Sequence, residues 1–296
     1  MMNLRNPGFL GSLGGKKLYD FTTHTFTNCG ATGRTGPTLA QMRSTYSAQT
    51  WAADNNFFNL GFFQGYQRWT VPITGSYQIE VSGAGVPNGG RGAIIRGVFQ
   101  LVAGEKLEIV IGQTATRATS GGGGGGTFVA KSAATINECT PLIIAGGGGG
   151  SYNGSTTGTM DASYTITSKA GGGENNAATN GNGANAPSNN SPYGGSGGGF
   201  LTAGANAPLC SGTGGGSFRN GLVGGNTCAS IVGGFGGGGG THGNSGGGGG
   251  GGGYSGGGGQ GHTQTGGGGG ASYCLVSQVE VGFRSNAHGY VIITKI

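Results

Sequence analysis

Charge is the scarcest property of this 296-residue chain: only 8% of its residues are Asp, Glu, Lys or Arg. The 15 basic and nine acidic side chains leave a net charge of +6, and the basic ones are scattered, with no run among them. Nucleic-acid binding calls for a clustered basic stripe, so no nucleic-acid partner is expected. The hydrophobic fraction is modest as well, at 34%. Chains that stay disordered at low hydrophobicity are usually kept soluble by charge, which is missing here. No apolar stretch of about 18 residues occurs, so no membrane insertion is expected. The N-terminal MMNLRNPGFLGSLGGKKLYDF has no continuous apolar core of the kind a secretory signal needs, and no signal peptide is expected.

The residues that carry chemistry are few and dispersed. Five cysteines (Cys29, Cys139, Cys210, Cys228, Cys274) form no CxxC pair, and four histidines (His24, His242, His262, His288) lie far apart. Neither set has the spacing of a zinc site, and the cysteines read as small buried hydrophobes. Nine carboxylates are scattered along the chain and read as solvated loop charges. Gly83, Gly85 and Gly89 loosely imitate a phosphate loop after a strand, but no helix follows and no Gly-Lys-Ser/Thr occurs. The expectation is a protein with no enzymatic activity, no metal and no cofactor.

What is abundant is glycine, with 77 residues. Most lie between 121 and 270, many in unbroken runs: 121–126, 146–150, 246–253 and 266–270. A glycine run loses the most backbone entropy on ordering and buries no side chain in return. Such runs are therefore either flexible linkers or a packing in which backbones approach too closely for a Cβ. Collagen is excluded, because only eight prolines are present and no strict triplet holds. Side-chain zippers are excluded because the runs have no side chains. The remaining ordered form is an extended left-handed helix with polyproline-II dihedrals, whose backbone groups point outward and must find partners on neighbours.

Around the glycine region the pattern is that of strands. KLYDFTTHTFTN is rich in Thr and aromatics. Thr38 can cap a short helix reaching Tyr46, and 47–58, with Trp51 and two Phe, reads as a loop over a sheet. GYQRWTVP and GSYQIEVSG flank a Pro72–Gly75 turn, and in the second Tyr77, Ile79 and Val81 alternate with Gln78, Glu80 and Ser82. RGAIIRGVFQL and EKLEIVIGQ repeat the theme across Gly104. TFVAK and PLIIAG each abut a glycine run, and HGYVIITKI closes the chain. Short strands broken by Gly and Pro predict a mainly β fold, a β-sandwich or jelly roll. The last strand lies beyond the glycine region, which must then be an insertion with its ends close together. A structureless insertion of that length inside a compact domain is uncommon.

CGATGRTGPTLAQ, WTVPITGSYQIEVSGAG, GGRGA, GEKLEIVIGQ, GGGGGGTFVAK and PLIIAGGGGG together resemble the glycine-rich domain of the anaplastic lymphoma kinase and leukocyte tyrosine kinase ectodomains. Related domains occur in bacterial, phage and large-virus proteins, among them glycine-rich phage tip adhesins. The resemblance runs from about Phe21 to Ile296. It implies a tumour-necrosis-factor-like sandwich with a large inserted bundle of polyglycine II helices. In those receptors a cysteine before the GA pairs with one after the AQ. Cys29 matches the first, but Met42 stands at the second place, so the disulfide implied by the family cannot form. No kinase is present either, and receptor signalling is not implied.

The resulting domain reading is an N-terminal arm at 1–20, the sandwich at 21–120, the glycine insertion at 121–270 and closing strands at 271–296. Short sandwich strands are expected inside the insertion near 127–131 and 141–145. Functionally the expectation is a virion or extracellular structural protein. It would be a fibre, tip or minor capsid component that displays loops for host-surface recognition and docks on other subunits through its arm. Its partners would be those subunits and a host surface glycan or protein. The missing signal and the missing disulfide motivate the virion. The alternatives are a soluble ligand-binding or matrix module and a glycine-rich RNA-binding protein. The latter lacks Arg-Gly-Gly repeats, with Arg219 alone among the glycines. Display residues are expected among the rings and polar groups that punctuate the runs: Tyr152, Tyr193, Phe218, Phe235, His242, Tyr254, Gln260 and His262. The competing reading is that several of these rings plug the junction between insertion and sandwich.

Overall fold

A computed structural model describes residues 17–115, 121–152, 159–172, 175–187, 194–208, 212–227, 231–242, 247–261 and 265–296. Alternating apolar and polar residues set the strands. In β4 (Gly75–Ser82) Tyr77, Ile79 and Val81 are fully buried while Gln78 and Glu80 are half-exposed. Strand β4 lies between β11 (Tyr290–Lys295) and β5 (Gly92–Leu101) in an antiparallel sheet of order β1-β11-β4-β5-β10. The outer members are β1 (Thr23–Phe26) and β10 (Val279–Arg284). The second sheet has the order β2-β3-β6-β7-β8-β9 and is antiparallel throughout. Its strands are β2 (Phe58–Leu60), β3 (Tyr66–Thr70), β6 (Lys106–Val110), β7 (Thr127–Lys131), β8 (Thr140–Ala145) and β9 (Tyr273–Cys274).

The inward faces of both sheets share one core. Tyr77, Ile79, Ile95 and Ile293 from the first sheet meet Trp69, Leu107, Ile109 and Val129 from the second. Each fully buried large side chain contributes about 1.5–3 kcal/mol. The mainly β sandwich expected from the strand pattern is therefore present. Helix α1 (Leu39–Thr45) starts where Thr38 and Gln41 form a reciprocal capping box, and its Met42 closes one end of the core. The 47–58 loop does reach over the sheet: a 3-10 turn at Thr50–Ala53 buries Trp51 in the same core.

The other face of the second sheet is buried too. Tyr66, Val110, Phe128 and Ile144 point away from the first sheet and pack against Phe200, Phe218, Leu222 and Phe235 of the glycine region. The Tyr66 hydroxyl donates to the Phe218 carbonyl at 2.6 Å. The glycine region is thus a third layer, laid on the sandwich. It is also continuous with the second sheet, since the run at 121–126 leads into β7, β8 leads into 146–150, and 266–270 leads into β9.

The inserted bundle of polyglycine helices is corrected by the structure. Among the described residues the α-helix is α1 alone, joined by three 3-10 turns, and no helix lies within a glycine run. The runs are extended segments: their amides bond sideways to other runs, so no described run closes the hydrogen-bonded turns that define a helix such as α1. Gly249 and Gly252 donate to Gly121 and Gly124, Gly250 and Gly253 to Gly195 and Gly198, and Gly248 and Gly251 to Thr265 and Gly268. Amides three apart therefore go to the same neighbour, and one run serves three neighbours. These bonds measure 2.9–3.3 Å.

Space explains why these positions are glycine. None of the described glycines in 121–126, 146–150, 247–253 or 266–270 has a left-handed φ. A Cβ on Gly123 would lie 2.0 Å from the Gly250 oxygen, one on Gly250 2.0 Å from the Gly257 oxygen, and one on Gly257 2.0 Å from the Gly268 oxygen. The blocking atoms are backbone, which no rotamer change can move aside.

Candidate functional site

The expected display residues separate into interior and surface. Phe218 and Phe235 are buried on the sandwich, with 0% and 1% of their surface exposed. Phe218 stacks on Phe200 with ring centroids 4.6 Å apart and tilts against Tyr66 and Phe128. These two rings plug the junction between layers and are not displayed. Gln260 is buried as well, its side-chain amide donating to the Gly172 carbonyl at 2.6 Å. Tyr254 is half-buried and stacks on Tyr273, with ring centroids 4.5 Å apart. Tyr152 and His242 are half-buried. Tyr193 and His262 lie outside the described residues. The described ones divide between the layer junction, where Phe218 and Phe235 pack, and other parts of the glycine layer.

Nor is there an activated nucleophile among the described titratable groups. Burial pushes the thiols of Cys29, Cys139 and Cys274 above the usual cysteine range, which disfavours the reactive thiolate. Burial lowers the imidazole of His288, with the Arg284 guanidinium adding to the effect. No group of three His, Cys, Asp or Glu side chains is arranged to hold a metal among the described residues. The buried carboxylate of Glu108 receives a 2.6 Å bond from Arg68 Nε and a 2.9 Å bond from the Ser132 hydroxyl. Arg68 also lies 4.7 Å over the Phe62 ring. This pair ties β3 to β6 within the second sheet, where Arg68 and Glu108 are register partners.

Sequence reasoning missed the surface feature at the layer junction. Three segments meet there: the 33–37 loop from GATGRTGPT, the turn carrying Phe63 and Gln64, and Asn220–Gly224 from the glycine layer. A cleft of about 280 Å³ lies between them, walled by Phe63, Gln64, Asn220 and Val223, with Phe235 at its base. A wider cleft of about 610 Å³ adjoins it, sharing Asn220 and Val223 and including Arg34 and Asn206. Phe63 and Val223 are large apolar side chains with 36% and 37% of their surface exposed. Gly221, with φ +84°, would meet the Phe63 ring at 3.5 Å if it carried a Cβ. Glycine thus lets the backbone turn tightly beneath the ring.

Polar groups around the cleft are held by backbone. Arg34 Nε donates to the Gly224 carbonyl at 3.0 Å, and Gly224 N–H donates back to the Arg34 carbonyl at 2.9 Å. Gln64 Nε2 donates to the Gly36 carbonyl at 2.8 Å, leaving its oxygen as an acceptor. The Asn206 oxygen accepts from Gly214 N–H at 2.9 Å, leaving its NH₂ as a donor. Among the described residues that line the two clefts, Arg34 is the sole ionisable one.

No protein-family model matches the chain. Over 106 residues it is 35% identical to the leukocyte tyrosine kinase receptor of Mus musculus, a match covering 32% of this chain and 11% of the receptor. The chain therefore spans about a tenth of that receptor's length. The similarity supports a distant relationship confined to that region.

Proposed function

We propose that this chain is a non-enzymatic recognition module displayed on a virion or other extracellular surface. The sandwich is its base and the glycine layer a stiff platform. The observation that carries this reading is the sideways hydrogen bonding of the glycine runs, which recurs every three residues and ties the 247–253 run to three neighbouring segments. Each such bond contributes about 0.5–1.5 kcal/mol net, and many in parallel offset the entropy of ordering glycine. A layer braced in this way is held together by backbone bonds without an oily core of its own. That is a property of a display scaffold. Among the described residues the buried thiols and scattered carboxylates form no catalytic constellation to set against it. The partial similarity to a receptor favours an extracellular setting and keeps a soluble ligand-binding module as the second reading. Recognition would fall on a host surface glycan or protein, and the N-terminal arm would dock on neighbouring subunits.

The test is antibody labelling of intact particles and cells from the source, using antibodies raised against the folded chain. Label on intact surfaces is the expected result. Label that appears only after permeabilisation would overturn the proposal.

A further inference from the structure

We infer that the paired clefts at the layer junction form a binding site for an acidic saccharide, a pyranose bearing a carboxylate. The inference rests on the recognition reading above and assigns that role to a site outside the connections between runs.

Shape and chemistry divide the site in two. The smaller cleft offers apolar surface, with the Phe63 ring and the Val223 side chain both more than a third exposed. Large apolar groups left exposed side by side at a rim of polar residues mark interaction surfaces. The wider cleft offers planar donors: the Arg34 guanidinium, and the amides of Asn206 and Asn220. A pyranose has the matching two-sidedness, an apolar face of C–H groups and an edge of hydroxyls. The volumes suit a small ligand, near or within the ordinary range of about 300–1,000 Å³.

Charge selects the acidic class. Among the described residues neither cleft contains an Asp or Glu and Arg34 forms no ion pair. Its Nε is anchored on the Gly224 carbonyl, which fixes the guanidinium while its two terminal NH₂ groups keep the fork that binds a carboxylate in two places. The reciprocal bond from Gly224 N–H ties this arginine to the glycine layer on one side and the sandwich loop on the other. A peptide ligand fits less well, because a peptide adds to a free strand edge or fills successive side-chain pockets. This site has one exposed ring, one cation and side-chain amides.

The experiment is isothermal titration of the full chain with 3′-sialyllactose, with a hyaluronan tetrasaccharide carrying glucuronate, and with lactose as the neutral control. Saturable binding of at least one acidic sugar is expected, at least tenfold tighter than lactose and weakened by added salt. Arg34→Gln should reduce it at least tenfold, and Phe63→Ala should also weaken it. Because Arg34 bridges two layers, Thr35→Asp provides a second variant. Thr35 is exposed in the cleft wall, and a carboxylate there repels the ligand without touching the core. Equal affinity for lactose would overturn the proposal, as would binding unaffected by both Arg34→Gln and Thr35→Asp. Binding to a C-terminal carboxylate peptide in place of the sugars would also overturn it, in favour of a peptide site. Absence of any binding refutes the saccharide site alone. Surface labelling of intact particles would still stand or fall by itself.

Discussion

His24 is caged edge-on by Phe26, Tyr46 and Trp51, with ring centroids 4.7, 4.7 and 4.9 Å away. Its Nε2 is buried with no partner among the described residues, and burial pushes the imidazole down from 6.5 to about 4. The folded chain holds it neutral where the unfolded chain would protonate it. Its contribution is therefore complete above pH 6.5, is lost as pH falls from 6.5 towards 4, and adds no slope below that. Thermal melts of the wild type should fall more steeply across that window than those of His24→Phe. Parallel curves would mean that His24 is not held neutral. At this scale the sequence was legible where a residue acts on near neighbours. Thr38 caps α1, and Gln41 three residues on completes the box. It was opaque for Arg34, quoted within GATGRTGPT, because the carbonyl that anchors it belongs to Gly224, 190 positions away. It was opaque again for Phe218 and Phe235, since a ring flanked by glycines carries no periodicity to say which way it faces.

At the scale of elements, alternation exposed β4 and β5 from their residues alone. Strand β10 escaped because its register shifts between Glu280 and Gly282, and Val279 and Val281 are exposed where a half-buried strand would hide one face. The three-residue β2 and two-residue β9 are too short to show a pattern. For the glycine runs, composition implied close packing with backbone groups bonded to neighbours, but assigned it to helices, and no helix lies in the described runs. A substitution pair separates crowding from flexibility. Gly250→Ala drives a Cβ to 2.0 Å from the Gly257 oxygen, while Gly121→Ala meets nothing closer than 3.4 Å. In denaturant unfolding, Gly250→Ala should cost about 1–3 kcal/mol through overpacking. Gly121→Ala should stay within about 0.5 kcal/mol of the parent, as alanine also restricts the unfolded chain. Equal tolerance at both positions would indicate that the runs do not pack as described.

Taken whole, the molecule stacks three layers: one sheet, a second sheet buried on both faces, and the glycine layer resting on it through Phe200, Phe218, Leu222 and Phe235. The third layer has few side chains, so its cohesion lies in backbone hydrogen bonds, and the display proposal depends on those bonds persisting in solution. Hydrogen–deuterium exchange over 247–259 measures this directly. The amides of Gly249, Gly250, Gly251 and Gly252 all donate to other segments, at 2.9–3.1 Å, with Gly249 and Gly252 sharing the 121–126 run. Such amides exchange only when the layer opens. Protection lasting minutes or longer, comparable to that of β4, is the predicted result. Exchange at the rate of a free peptide, with β4 still protected, would contradict the account. The glycine region would then be a linker on a sandwich, and no platform.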